Sequence, residues 1–132
     1  MANALYPNGL EALLNGDIDL LSDTIQVVLI DTGTASYNSA HDFYNDISAA
    51  AVGTPVALSS KTTTLGVFDS ADPTWTGVSG STVEAIAMIK WTGSAATSPL
   101  IGWWDTLPSG LPLTPNGGDV TYTVHSSGWF AL

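Results

Sequence analysis

The sequence contains no cysteine. Disulfide cross-links, thiolate nucleophiles and cysteine-ligated zinc are therefore excluded together. Arginine is also absent, and only two lysines, Lys61 and Lys90, stand against twelve Asp and Glu, for a net charge of −10. That balance repels nucleic acid phosphates and anionic lipid, so neither nucleic acid nor a membrane is expected as a partner, and a charged partner should be basic. Charged residues of both signs amount to 11 % of the chain, well below the roughly 25 % usual in soluble domains. A surface so short of charge must be covered by Ser, Thr, Asn and Gly. Docking it desolvates few ions, which favours life in an assembly. No apolar run reaches the roughly 18 residues that a membrane-spanning helix needs. The opening MANALYPNGLEALL has neither a basic start nor a continuous apolar stretch, so no secretory leader is expected and synthesis in the cytoplasm is the expectation.

What remains is enough for one core. At 132 residues the chain has the length of a single domain, taken here as 1–132. Such a domain buries about two thirds of the surface its unfolded form exposes. Residues Tyr6 to Gly16 read as a short helix, with Pro7 at the first helical position, Leu10, Leu13 and Leu14 at helical spacing, and Asn15-Gly16 as a stop. Thr24 to Ile30 is the clearest strand. It is β-branched and apolar without alternation, which predicts a central strand buried on both faces. Thr32 to Ser48 is polar and irregular, with one helical turn expected over His41 to Ile47.

Beyond Gly53 short strands alternate with turns: Pro55 to Leu58, Thr62 to Leu65 and Val67-Phe68 around a bend at Gly66, then Thr74 to Thr76. Thr82 to Trp91 reads as a long strand, with Val83, Ala85, Ala87, Ile89 and Trp91 on one face and Glu84, Ile86, Met88 and Lys90 on the other. Leu100 to Asp105 is a further strand, followed by a turn at Leu107 to Gly110. Two prolines and a glycine pair make 111–118 an ordered connection, and Asp119 to His125 alternates as a half-buried antiparallel strand. The apolar end, Trp129 to Leu132, has to be tied down in its own sheet or in a neighbour. The fold class is mainly β: an antiparallel β-sandwich or open barrel with a short N-terminal helix and one further helical turn.

Residues able to carry chemistry are few. Asp17, Asp19 and Asp23 are spaced carboxylates, but Leu21 stands where a calcium loop needs its next ligand, so loop termination is the better reading. His41 has Asp42 and Asp46 as neighbours, while His125 alternates with threonines on an outward face and reads as solvated. Gly77-Val78-Ser79-Gly80 falls one residue short of a nucleophile elbow, and no phosphate loop is present. No catalytic residue, cofactor site or metal site is expected, and the chain reads as a non-enzyme. Trp103 and Trp104 are adjacent, so a strand sends them to opposite faces. One is core; the other faces solvent, another layer or a partner, where it anchors a protein contact or stacks on a sugar.

The block ALYPNGLEALLNGDIDLLSDTIQVVLIDT resembles the opening of a family of small tailed-phage virion proteins. HDFYNDI, LSSKTTTLGVFDSADPTW, VEAIAMIKWTGSAATSPLIGWWDT and GLPLTPNGGDVTYT resemble later parts of that family in the same order and cover most of the chain. Pro7 and the tryptophans near Trp91 and Trp103 depart from the pattern, which touches helix length and interface detail. The resemblance implies a structural protein, with a capsid cement or decoration protein as the expectation. Such a protein is made in the host cytoplasm and sits on the outer capsid surface as a homo-oligomer, dimer or trimer, clamping neighbouring subunits of the phage major capsid protein. Other roles kept in view are a neck or tail component and a carbohydrate-binding β-sandwich module. The interface residues expected on this reading are Trp103, Trp104, Trp129, Phe130 and Leu132, with Pro112, Thr114, Pro115 and Asn116 as a contact loop.

Overall fold

The computed structural model describes residues 3–107 and 110–132. Pro108 and Ser109, in the turn expected at Leu107 to Gly110, lie outside them. In chain order the regular elements are β1 (Ala4–Leu5), α1 (Pro7–Leu14), β2 (Ile25–Ile30), β3 (Ala51–Ala57), β4 (Val67–Phe68), β5 (Thr74–Trp75), β6 (Ala85–Lys90), β7 (Leu100–Trp104), β8 (Val120–Thr121) and β9 (Phe130–Ala131). Short 3-10 turns occupy Tyr44–Asp46, Ser48–Ala50, Thr64–Gly66 and Ala95–Thr97. The main sheet has five strands in the order β1-β7-β6-β2-β3, and every pairing in it is antiparallel. Two further antiparallel ribbons, β4–β9 and β5–β8, complete the mainly β architecture.

The local causes are visible. Pro7 opens α1, where its missing N–H would have had no partner. Asn15 closes it, and Gly16 turns the chain out at a φ of 79°. The expected leucine stripe is only partly right: Leu10 and Leu13 are half-buried, but Leu14 is exposed. Gly9 is the residue buried instead, because the helix backbone lies directly on β7. A Cβ added at Gly9 would meet the Leu100 carbonyl oxygen at 2.1 Å.

Both faces of the sheet are covered, as the unbroken apolar run of β2 implies. Ile25, Val27 and Leu29 of β2, with Ile86 and Met88 of β6, enter one apolar layer. Val28 and Ile30, with Ala85, Ala87 and Ile89, enter the other. The first layer is closed by Phe68, Trp75 and Trp129, brought by the two ribbons. The second is closed by Tyr6, Tyr44, Ile47 and Ala50. Val83 departs from the expected face, because the ladder of β6 starts at Ala85 and Val83 instead makes an isolated bridge to Leu113. In β7 the register slips so that Met88 faces Gly102 while Ile89 faces Leu100. Strand alternation puts Trp103 and Trp104 on opposite faces, and the bulge at Ile101 sets which layer each enters, Trp103 the second and Trp104 the first.

Edge strand β3 runs longer than the expected Pro55 to Leu58, and the register skips from Val56 opposite Val27 to Val52 opposite Leu29. Pro55 sits in that irregular stretch, where its missing donor blunts the edge.

The strand expected over Asp119 to His125 keeps its alternation but not its ladder. Val120, Tyr122 and Val124 are half-buried, and Thr121, Thr123 and His125 are exposed. Yet only Val120–Thr121 pairs, with Thr74 and Trp75. Alternation needs only an extended backbone, whereas a ladder needs a partner. Here the partner gives way to Pro73, which accepts from Tyr122 N–H at 3.1 Å but has no N–H to return. The C-terminal end is tied down within the chain: Phe130 faces Phe68 and Ala131 faces Val67.

Candidate functional site

The structure corrects the place given to the tryptophans. Trp103, Trp104 and Trp129 are all at least 94 % buried within the single chain, so none offers a free ring face to a partner or a sugar. The reason is that both faces of the sheet are covered, Trp104 and Trp129 in the first layer and Trp103 in the second. Trp104 lies over Gly102, where a Cβ would meet its ring at 2.5 Å, and packs edge-on against Trp129 at 5.1 Å. Its indole N–H donates to the Trp129 carbonyl at 3.2 Å, and the Trp129 indole donates to Ser70 Oγ at 2.9 Å. Trp103 donates to Asp105 Oδ2 at 3.0 Å. Phe130 is half-buried against Phe68 and Trp104.

The surface is instead marked by isolated leucines. Leu65 is 97 % exposed and Leu132 67 % exposed. The β4–β9 ribbon brings them together at one end, because Leu132 N–H donates to the Gly66 carbonyl at 3.0 Å. Leu65 lies in the 3-10 turn Thr64–Gly66 at a φ of 53°, a left-handed conformation that leucine seldom adopts. Its apolar side chain therefore stands out from a tight turn with nothing of its own chain against it. The segments Thr62 to Phe68 and Ser126 to Leu132 carry no ionisable side chain. Sequence reasoning placed Leu132 among contact residues and missed Leu65, which reads as one more residue of a Thr-rich strand. Its only signal was a single large apolar residue between three threonines and a glycine.

In the expected contact loop Pro112, Thr114 and Asn116 are exposed and Pro115 is half-buried. Leu113 points inward, held by reciprocal 2.8 Å hydrogen bonds with Val83. Asn116 Oδ1 accepts from Gly118 N–H at 2.9 Å, so the loop is ordered by its own polar groups.

Two carboxylates of the 17–23 loop, Asp19 and Asp23, accept hydrogen bonds from the loop's own backbone. Asp19 Oδ1 accepts from Leu21 N–H at 3.0 Å, and Asp23 Oδ2 accepts from Asp19 N–H at 2.7 Å and meets Lys90 Nζ at 3.2 Å. The Ser22 and Leu21 hydrogen bonds hold Asp19 below the usual carboxylate range. The Asp19 N–H does the same for Asp23, aided by Lys90. Asp46 is held down by the Asp42 backbone N–H, which it accepts at 3.0 Å, with His41 a smaller influence. His125 is exposed and accepts from Ser127 N–H at 2.9 Å. Among the described residues no group of three His, Asp or Glu stands together as a metal site, and no helix is long and apolar enough to cross a membrane.

No family model matches this chain, and no curated protein matches it.

Proposed function

We propose that this chain is a phage capsid decoration protein, which binds the outside of an assembled shell and joins neighbouring subunits of the major capsid protein without making or breaking a bond. The observation that carries the reading is the Leu65–Leu132 tip: a fully exposed leucine held in a left-handed turn on a ribbon with no ionisable side chain. A strained, exposed apolar residue has no use in the isolated fold, and strain of this kind clusters where a surface works. Burying one leucine contributes about 1.5–3 kcal/mol. That is weak for one contact and sufficient when a homo-oligomer engages several subunits at once, because linked contacts multiply. The low overall charge supports the same reading, since the approaching surfaces strip water from few ions.

The test is binding of purified protein to shells that lack it, read by co-sedimentation and by the temperature at which the shells rupture. Saturable binding in hundreds of copies per particle, with rupture moved to higher temperature, supports the proposal. A copy number near a dozen moves the chain to the neck or tail, and shells that neither bind it nor gain resistance end the reading.

A further inference from the structure

We propose that two copies of this chain pair edge to edge along residues 120–125, antiparallel about a two-fold axis at Thr123, so that their β5–β8 ribbons join into one four-stranded sheet.

The segment is a strand with one neighbour missing. Among the described residues β8 has β5 on one side and no strand on the other. Tyr122 N–H donates to the Pro73 carbonyl at 3.1 Å and Val124 N–H to Asp72 Oδ1 at 2.9 Å, so the even-numbered residues use the inner edge. Backbone groups alternate in direction along an extended chain, which turns those of Thr123 to the outer edge. Among the described residues the Thr123 N–H and carbonyl take no hydrogen bond. A groove of about 320 Å³, lined by Gly110 and Thr121 to Ser126, lies against this segment. Nothing blunts the edge. Natural sheets protect theirs with proline, lysine or an inward charge, as Pro55 does on β3. From Val120 to His125 there is no proline, no lysine and no carboxylate.

The occupant is a second copy because the segment is complementary to itself. Pairing about the axis sets Thr123 opposite Thr123, joined by two reciprocal backbone hydrogen bonds. Tyr122 of one copy then faces Val124 of the other, twice. Aromatic–β-branched pairs and threonine pairs are both favourable across strands. Tyr122 and Val124 are only half-buried in the single chain, so each has area left to cover. The chain carries a charge of −10, yet residues 120–132 bring no carboxylate side chain, so two copies meet there with little repulsion. Such a contact uses the same patch on both copies and closes at two, with no filament. It supplies the homo-oligomer that the decoration reading calls for, but it rests on backbone and register and stands without that reading.

The experiment uses the absence of cysteine, which lets a single introduced one report the register. A hydrogen-bonded antiparallel pair sets its Cα atoms about 5.5 Å apart, inside the disulfide range of about 4.4–6.8 Å. Thr123→Cys should therefore give a covalent dimer under mild oxidation. Thr121→Cys should not, because its counterpart lies about four residues along the strand, roughly 13 Å away. Sedimentation velocity over a concentration series should show wild-type protein passing from monomer to dimer. Thr123→Pro removes the central N–H of both copies and should leave monomer. Thr123→Glu sets two like charges face to face on an exposed position and should weaken the dimer about three- to tenfold with an unchanged thermal melt. Wild-type protein that stays monomeric, cross-linking at 121 equal to that at 123, or a dimer that neither Thr123→Pro nor Thr123→Glu weakens overturns the pairing. A monomer that still protects shells overturns the pairing and leaves the decoration reading standing. A dimer cross-linked through position 123 that leaves shells bare ends the decoration reading and leaves the pairing.

Discussion

Replacing Leu65 by glycine should make the protein more stable and worse at adhesion. The side chain is 97 % exposed, so its removal forfeits almost no buried area. Its φ of 53° costs an L-residue about 1–2 kcal/mol, which glycine does not incur. Against that, glycine gains freedom in the unfolded chain and gives back about 0.5–1 kcal/mol. The net is a stabilisation of about 0.5–1 kcal/mol, or roughly 2–4 °C in Tm for a domain of this size. Urea denaturation monitored by tryptophan fluorescence, with thermal melts beside it, measures the gain. Leu65→Asn tests the same strain by a second route, because asparagine tolerates the left-handed region without glycine's entropy. Both variants should bind shells more weakly than wild type. A loss of stability above about 1 kcal/mol in both would refute the reasoning, since it would mean that Leu65 makes contacts within the fold. Unchanged shell binding by the stabilised variants would remove the tip from the interface.

Other substitutions probe the scaffold. Gly9→Ala puts a methyl group 2.1 Å from the Leu100 carbonyl oxygen, so α1 must lift off β7, at a cost of about 2–4 kcal/mol in urea denaturation. Tyr6→Phe should stabilise by about 1 kcal/mol, because the Tyr6 hydroxyl is buried and has no hydrogen-bond partner among the described residues. Burial, with smaller contributions from Tyr37 and Asp46, also pushes the Tyr6 pKa well up. The wild-type unfolded chain therefore ionises this group from about pH 10 while the folded chain does not, and stability falls as pH rises above that point. Tyr6→Phe should flatten this fall in denaturation midpoints measured from pH 9 to pH 11. At the acid end Asp19, Asp23 and Asp46 all sit below the usual range. Their contribution is present above about pH 4 and lost as pH falls through the folded values. Asp46→Asn should accordingly destabilise at pH 7 and lose less than wild type between pH 4 and pH 2.

How much of this was legible before folding differs from element to element. The sequence by itself determined the local matters. It marked α1 by Pro7 and Gly16, and a strand buried on both faces by the unbroken run Ile25 to Ile30. The opposite faces of Trp103 and Trp104, and the alternation from Val120 to His125, were equally plain. These follow from backbone periods and from residues with special φ, which act within a few positions. Tertiary structure decided what covers what. Trp104 is core because Trp129 and Phe130, distant in sequence, pack against its ring. Leu65 is exposed in a left-handed turn, although a strand pattern surrounds it. Glu84 reaches Thr32, 52 positions away in sequence, because β2 and β6 pair in one register and not the next. Period and propensity are properties of neighbours along the chain, whereas exposure and convergence are properties of neighbours in space, and only packing relates the two.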